Sequence, residues 1–293
     1  MLYQIARRSA HALAMVLVLV LVCSQSVQAQ SIQTLDAPFK RMGWEGVGRL
    51  DFGRGFCTGT LIARDIVLTA AHCVYDHVKA GTKLPRDLVF RAGYQHDAAS
   101  AERRVVAAHI PQGYVRDPGG KSTAKTIPHD IALLQLESEI FVTSASPFRI
   151  HARASQGTEV MLVSYGKGRE EALTQESGCA ITNRYSGGIL EFNCAATFGS
   201  SGAPVFIEED GNRRILSIIS GGARGDDGRF VVYGMELTTP VADLMARLRA
   251  RQSLPPTSEG ARRLRVGAST GSTRPKSAEH PPSFKRIRVV PGS

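Results

Sequence analysis

The sequence predicts an all-β fold, a sandwich or a barrel, followed by one C-terminal helix. Apolar runs of strand length recur between turn residues through most of the chain. Asp210 and Gly211 lie between two such runs, where they signal a hairpin turn. The runs used for this prediction are residues 59–68, 88–92, 131–136, 159–164, 203–207, 215–219 and 230–237.

Helical periodicity occurs only near residue 250. Apolar side chains recur there at three- and four-residue spacings, which place them on one face of a helix. Pro240 stands near the start of this pattern, where proline is tolerated. The apolar face consists of Val241, Leu244, Met245 and Leu248.

The N-terminal segment, residues 1–29, has the three parts of a signal peptide. Two arginines precede an apolar run over residues 12–22, and Ala29 ends a small-residue cleavage site. The run is about half the roughly 20 residues that a spanning helix needs, so a transmembrane anchor is less favoured. Lipid attachment at Cys23 and twin-arginine export are also minor alternatives. We therefore expect a secreted or periplasmic protein with no stable membrane insertion after cleavage.

Most of the excess positive charge lies at the two ends of the chain. The formal net charge is +10, and residues 252–293 carry eight basic and two acidic side chains. Only +2 remains for residues 30–251, which argues against a nucleic-acid-binding core. The last segment is rich in Pro, Ser, Gly and Arg without apolar periodicity. We expect residues 252–293 to form a disordered basic tail with at most weak contact to anionic surfaces.

The cysteines indicate disulfides rather than a metal site. Removal of the signal peptide leaves Cys57, Cys73, Cys179 and Cys194, an even number in an oxidising compartment. Three pairings are open, and the sequential one closes two loops of similar size. Neither a CxxC motif nor an HExxH motif suggests a metal.

Three segments together carry the residue types of a serine hydrolase. His72 follows an apolar strand, Asp130 opens another, and Ser201 lies in a glycine-rich turn. A packed histidine, a strand cap and a linker turn would explain each segment separately. Jointly they provide a nucleophile, a base that takes its proton, and a buried carboxylate that orients the base. The N–H groups of Gly199 and Ser201 would then form an oxyanion hole.

The segments CTGTLIARDIVLTAAHC, HDIALLQL and GSSGAPVF, in this order, resemble the chymotrypsin-like serine peptidases. The likeness is greatest to the bacterial trypsin-like branch, which includes the glutamyl endopeptidases, and it covers about residues 43–250. It implies two antiparallel six-stranded β-barrels with an active cleft between them, and no cofactor. It assigns His72 as general base, Asp130 as its orienting partner and Ser201 as nucleophile. It also implies the disulfide pairs Cys57–Cys73 and Cys179–Cys194.

Two departures from the animal trypsin pattern concern the nucleophile loop. Ser200 stands where trypsin-like enzymes have an aspartate that receives a new N-terminal amine, so this activating salt bridge is not expected. Ala195 stands where a trypsin-type pocket has its aspartate.

Ser220 to Gly222 resembles the edge segment on which the substrate backbone pairs, with a hairpin glycine pair as the alternative. The candidate substrate-binding residues are therefore Ala195, Ser220 and Gly222.

The predicted specificity is for small or medium apolar side chains, which are favoured by burial of apolar surface. Ala195 and Ala196 offer no carboxylate for a basic side chain, and residues 216–222 contain no cation for an acidic one. Asp226 and Asp227 in the next loop leave a basic preference open.

The predicted function is that of an exported serine endopeptidase that cleaves proteins or peptides through an acyl-enzyme intermediate. A catalytically silent fold that acts as a binding or regulatory module is the alternative, and the intact triad argues against it. An α/β-hydrolase needs an Asp and then a His after its serine. The single histidine after Ser201 is His280, which lies in the predicted disordered tail, so this class of enzyme is disfavoured.

Overall fold

The computed structural model describes residues 30–53, 55–79, 84–225 and 228–252. The predicted signal peptide and nearly all of the predicted tail lie outside these residues. The strands are β1 (Ser31–Thr34), β2 (Val47–Phe52), β3 (Gly55–Ala63), β4 (Ile66–Thr69), β5 (Val89–Ala92), β6 (Ala101–His109), β7 (Ala132–Leu136), β8 (Arg149–Ile150), β9 (Glu159–Gly166), β10 (Arg169–Tyr185), β11 (Ile189–Phe192), β12 (Pro204–Glu209), β13 (Asn212–Arg224) and β14 (Phe230–Met235). The helices are α1 (Pro38–Arg41), α2 (Tyr75–Lys79) and α3 (Thr238–Gln252), and single 3₁₀ turns cover Ala71–Cys73, Ile127–His129 and Ser186–Gly188.

The first barrel is closed by six antiparallel strands in the order β2-β3-β4-β7-β6-β5. Strands β4 and β7 pair with each other and contribute to two cores, because successive side chains of a strand point to opposite faces. Val67 and Leu134 belong to the core of this barrel. Leu68 and Leu133 pack in a second core with residues of the other sheet. The strands that lead to the candidate site are thus buried on both faces.

The second sheet contains eight strands, six of which form a ring of pairings. β9 pairs with both β10 and β12, which completes the circuit β9-β10-β11-β14-β13-β12. Two further strands are attached, β1 to β10 and the parallel strand β8 to β13. The predicted fold of two barrels with a C-terminal helix is confirmed, with these two strands as an addition. The core of this second sheet includes Leu162, Cys179, Ile181, Leu190, Phe192, Val205, Leu216 and Val232.

The local predictions differ from the structure where strands are polar or closely spaced. The run 59–68 is not one strand, because a turn at Arg64 and Asp65 divides it between β3 and β4. The 17-residue β10 carries too many polar residues to be recognised as apolar runs. Asp210 and Gly211 do form the β12–β13 turn, with φ of 51° and 73°.

Helix α3 agrees with the predicted C-terminal helix. Val241, Leu244 and Leu248 are buried in the core shared with the first barrel, and Met245 packs against it. Within the residues that the structure describes, no helix is both long enough and apolar enough to span a bilayer.

Candidate active site

His72 is presented by the end of β4 in the first barrel. The fully buried strand Ile66–Thr69 leads into the 3₁₀ turn Ala71–Cys73, of which His72 is the central residue. The disulfide between Cys57 and Cys73 joins this turn to β3. The backbone on either side of His72 is therefore held, while its side chain keeps 24% of its surface exposed.

Asp130 lies directly against His72. It follows the 3₁₀ turn Ile127–His129 and is only 2% exposed. Its Oδ1 accepts the backbone N–H of His72 at 2.9 Å, and its Oδ2 lies 2.8 Å from His72 Nδ1. The Ser220 hydroxyl donates to the same Oδ2 at 2.5 Å. Donors on both oxygens stabilise the buried carboxylate, which fixes the orientation of the imidazole.

Two tyrosines pack against the 3₁₀ turn that carries His72. Tyr114 and Tyr75 are buried with Ala71, and their rings meet edge to face with centroids 5.1 Å apart. Burial, followed by the nearby charge of Asp130, raises the pKa of Tyr114 well above its ordinary value. The phenol therefore stays neutral and adds no charge beside the carboxylate.

The loop before β12 brings Ser201 from the second sheet to the same place. A Cβ on Gly202 would lie 2.1 Å from Thr69 Oγ1 and 2.8 Å from the backbone nitrogen of Ala70. Glycine is required there, both for this close approach and for a φ of +75°. The Ser201 carbonyl accepts the N–H of Thr58 at 2.9 Å. Ser201 thus stands beside the chain segment that carries His72.

The hydrogen bonds among the described residues include none between the Ser201 hydroxyl and the His72 ring. In free enzymes such catalytic hydrogen bonds are often long and tighten only when substrate binds.

The backbone N–H groups of residues 199–203, around Ser201, differ in whether they donate a hydrogen bond. The N–H groups of Ser200, Gly202 and Ala203 donate to other backbone carbonyls. Those of Gly199 and Ser201 donate no hydrogen bond within the described residues. These are the two groups predicted for the oxyanion hole. A φ of +92° at Gly199 produces this local arrangement, and a Cβ there would overlap the Phe56 ring at 2.1 Å.

Ser200 faces the protein interior rather than the site. It is fully buried, and its hydroxyl donates to Ser164 Oγ at 3.2 Å. The N–H of Thr197 in turn donates to Ser200 Oγ at 3.3 Å. Neutral hydrogen bonds therefore fill the position at which trypsin-like enzymes place an aspartate.

Ala195 borders a cavity of about 680 Å³. Tyr185 and Thr182 hydroxyls both donate at 2.7 Å to Glu191, which also lines this cavity. Two arginines, Arg224 and Arg229, also line the cavity, and the sequence prediction missed them because it considered cations only within residues 216–222. Asp226 and Asp227 lie outside the described residues. The other lining residues include Gln30, Cys194, Phe230 and Val231.

Side chains of the same protein contact the segment from Ser220 to Gly222, in which Ser220 is buried, Gly221 is half-buried and Gly222 is exposed. Ser122 Oγ donates to the Ser220 carbonyl at 3.1 Å, and a Cβ on Gly221 would lie 2.1 Å from that hydroxyl. A Cβ on Gly222 would lie 2.5 Å from the Phe230 ring. Gly221 and Gly222 lie inside β13, opposite Tyr233 and Val232 of β14, and not at the turn between these strands.

The four cysteines form the two predicted bridges, Cys57–Cys73 and Cys179–Cys194. Two groups of candidate metal ligands occur among the described residues, His72 with the first pair and Glu176 with the second. Because both cysteines of each group are already bonded to each other, neither group offers a thiolate to a metal.

Sequence reasoning missed three polar contributors to the site. They are the Ser220 hydroxyl on Asp130, the neutral phenol of Tyr114, and the carboxylate of Glu176 on the Ala195 N–H. Ser220 was predicted only as a backbone partner of substrate. The one available signal was a serine next to two glycines in a strand that is otherwise apolar.

Comparisons with known proteins show a family for this chain. A family model described as Trypsin matches residues 38–245. Serine protease 23 of Bos taurus is 28% identical over 190 residues, which cover 56% of this chain and 48% of that protein. Coagulation factor XII of Rattus norvegicus is 29% identical over 225 residues, which cover 64% and 36% respectively. The matched region thus spans half or less of these relatives.

Solved structures share the fold at low sequence identity. A Glu endopeptidase in complex with MPD superposes with a TM-score of 0.59 at 18% identity, covering 76% of this chain and 98% of its own. Protease Anisep from Arthrobacter nicotinovorans gives a TM-score of 0.56 at 17% identity, covering 75% of this chain and 100% of its own.

Proposed function

The chain belongs to the trypsin family, and on that premise we propose that it is an active, exported serine endopeptidase. The observation that carries the proposal is the His72–Asp130 pair beside Ser201, with two unused N–H groups in the adjoining loop. The two disulfides are consistent with an oxidising compartment, which supports secretion or export to a periplasm.

In the proposed reaction Ser201 Oγ attacks the carbonyl carbon of a peptide bond while His72 takes the hydroxyl proton. The imidazolium formed is stabilised by Asp130, which also accepts hydrogen bonds from the His72 backbone N–H and the Ser220 hydroxyl. His72 then gives its proton to the leaving amine, and an acyl-enzyme remains on Ser201. Water, deprotonated by His72, attacks the ester, and His72 returns that proton to Ser201 Oγ as the ester bond breaks and the acid is released.

Gly199 and Ser201 would stabilise the negative oxygen of each tetrahedral intermediate. Loss of one such donor costs roughly 3 kcal/mol of transition-state stabilisation in related chemistry. The φ of +92° at Gly199 belongs to the left-handed region, which glycine adopts without strain. The loop can therefore keep this geometry before substrate arrives.

The substrate is a protein or peptide, with a preference for small or medium apolar side chains before the cleaved bond. The cavity beside Ala195 supports this with apolar lining from Phe230 and Val231. Arg224 and Arg229 line the same cavity and favour an acidic side chain as the second candidate. Cleavage of a mixed peptide library distinguishes them. Dominant cleavage after Glu or Asp would replace the apolar preference, and dominant cleavage after Arg or Lys would exclude both.

The activity itself is tested by labelling with a fluorophosphonate probe, which reacts with an activated serine. We expect the wild-type protein and the Ser200→Ala variant to be labelled and to hydrolyse peptides, and Ser201→Ala to do neither. Ser200→Ala is the matched control because it removes the neighbouring hydroxyl. A folded wild-type protein that is neither labelled nor active would instead support the catalytically silent binding module.

A further inference from the structure

We propose that Glu176 is a positioning residue for the proposed active site. Its carboxylate holds the Ala195 N–H and thereby fixes residues 195–200, the loop that leads to Ser201. The inference rests on the proposed function and adds a residue to it from outside the triad.

The contact is direct and buried. Glu176 is 4% exposed, and its two oxygens lie 3.0 and 2.8 Å from the Ala195 nitrogen. Glu176 comes from β10, whereas Ala195 follows β11, so the bond joins a strand of the barrel to the start of the nucleophile loop. A charged acceptor makes a stronger hydrogen bond to a backbone N–H than a neutral one does.

The remainder of the loop is held by neutral groups. Thr58 Oγ1 donates to the Gly199 carbonyl at 2.9 Å, and the N–H of Lys167 donates to the Phe198 carbonyl at 2.7 Å. Ser200 bonds to Ser164, as described above. Glu176 therefore supplies the charged contact at the beginning of the loop, while the site usually given to an aspartate holds an uncharged serine.

The carboxylate costs folding stability in its ionised form. Burial raises the pKa of Glu176, and the Ala195 N–H and the charge of Arg169 only partly oppose this. A raised pKa means that the folded protein binds this proton more tightly than the unfolded chain does. The stabilising effect of protonation is present at low pH and is lost as the pH rises through the folded pKa. At neutral pH the buried charge of Glu176 therefore lowers the free energy of unfolding.

Because the ionised carboxylate lowers stability, its removal should affect stability and activity differently, which separates positioning from a merely structural role. Replacing Glu176 by Gln keeps the length and one acceptor oxygen but removes the charge. We expect Glu176→Gln to have an unchanged or higher melting temperature at pH 8. Its kcat should nevertheless fall by about tenfold and that of Glu176→Ala by about a hundredfold, because small displacements of catalytic groups have effects of this size.

The experiment measures kcat, KM, melting temperature and the rate of fluorophosphonate labelling for wild type, Glu176→Gln, Glu176→Ala and Glu208→Gln. Glu208 is an exposed carboxylate of the same sheet and is the matched control. The proposal predicts that kcat and labelling fall together in both Glu176 variants and stay unchanged in Glu208→Gln.

The proposal is overturned if a folded Glu176→Ala keeps its kcat within twofold of wild type. It is also overturned if Glu176→Gln loses melting temperature but no kcat, which would indicate only a structural role. If Glu176→Ala does not fold, Glu176→Gln alone decides. A wild-type protein that fails to react with the probe contradicts the proposed function instead, so the two failures are distinct.

Discussion

The two halves of the site are built in different ways. The first barrel contributes side chains, His72 and Asp130, from turns at the ends of strands that are buried on both faces. The second sheet contributes Ser201 and backbone N–H groups from a loop whose shape needs left-handed glycines. Apolar packing and the Cys57–Cys73 disulfide hold the backbone of the first half. Polar groups from other strands hold the loop of the second half, so single polar substitutions there should displace the loop without unfolding the protein.

The largest expected effect lies in the first half. Asp130→Asn should lower kcat by about 10⁴-fold, because the amide favours the wrong imidazole tautomer, as in the chymotrypsin-like site that the family shares. Steady-state kinetics with a peptide substrate measure this effect. Retention of more than a tenth of wild-type kcat would show that Asp130 does not orient His72.

The disulfides allow the two halves to be compared in stability. Cys57–Cys73 and Cys179–Cys194 span 16 and 15 residues, so the loop-closure contribution of each is about 3 kcal/mol. Replacing either pair by serines should lower the free energy of unfolding by similar amounts in urea titrations. Below the melting temperature, loss of either pair should also lower kcat, since Cys73 adjoins His72 and Cys194 adjoins Ala195. A variant that keeps the wild-type kcat would contradict that coupling for its pair.

The smallest expected effect tests the hydrogen bond that links the halves. Ser220→Ala removes a donor to Asp130 but leaves both contacts to His72. One hydrogen bond to a charged group contributes roughly 1.5–3 kcal/mol. We therefore expect kcat/KM to fall by about ten- to a hundredfold, far less than for Asp130→Asn. A loss as large as that of Asp130→Asn would assign Ser220 to the triad itself.

The difference between the halves also explains what could be predicted from sequence. Apolar strands lie directly next to His72 and Asp130 in the sequence. The fold and these candidate residues could therefore be predicted from local patterns. Strand β10 was not recognised, because its buried polar residues Thr174 and Glu176 interrupt the apolar pattern and have their partners outside the strand. Glu176 lies 19 residues before Ala195, and Ser220 lies 90 residues after Asp130. No local pattern encodes such pairs.

The contact between Ser122 and the Ser220 carbonyl has a consequence for the affinity of substrates. A peptide that takes the place of the Ser122 hydroxyl on this carbonyl exchanges one hydrogen bond for another, which involves about 1 kcal/mol. Every substrate that pairs there bears the same penalty, so binding weakens by about fivefold without a change in the order of preference among substrates.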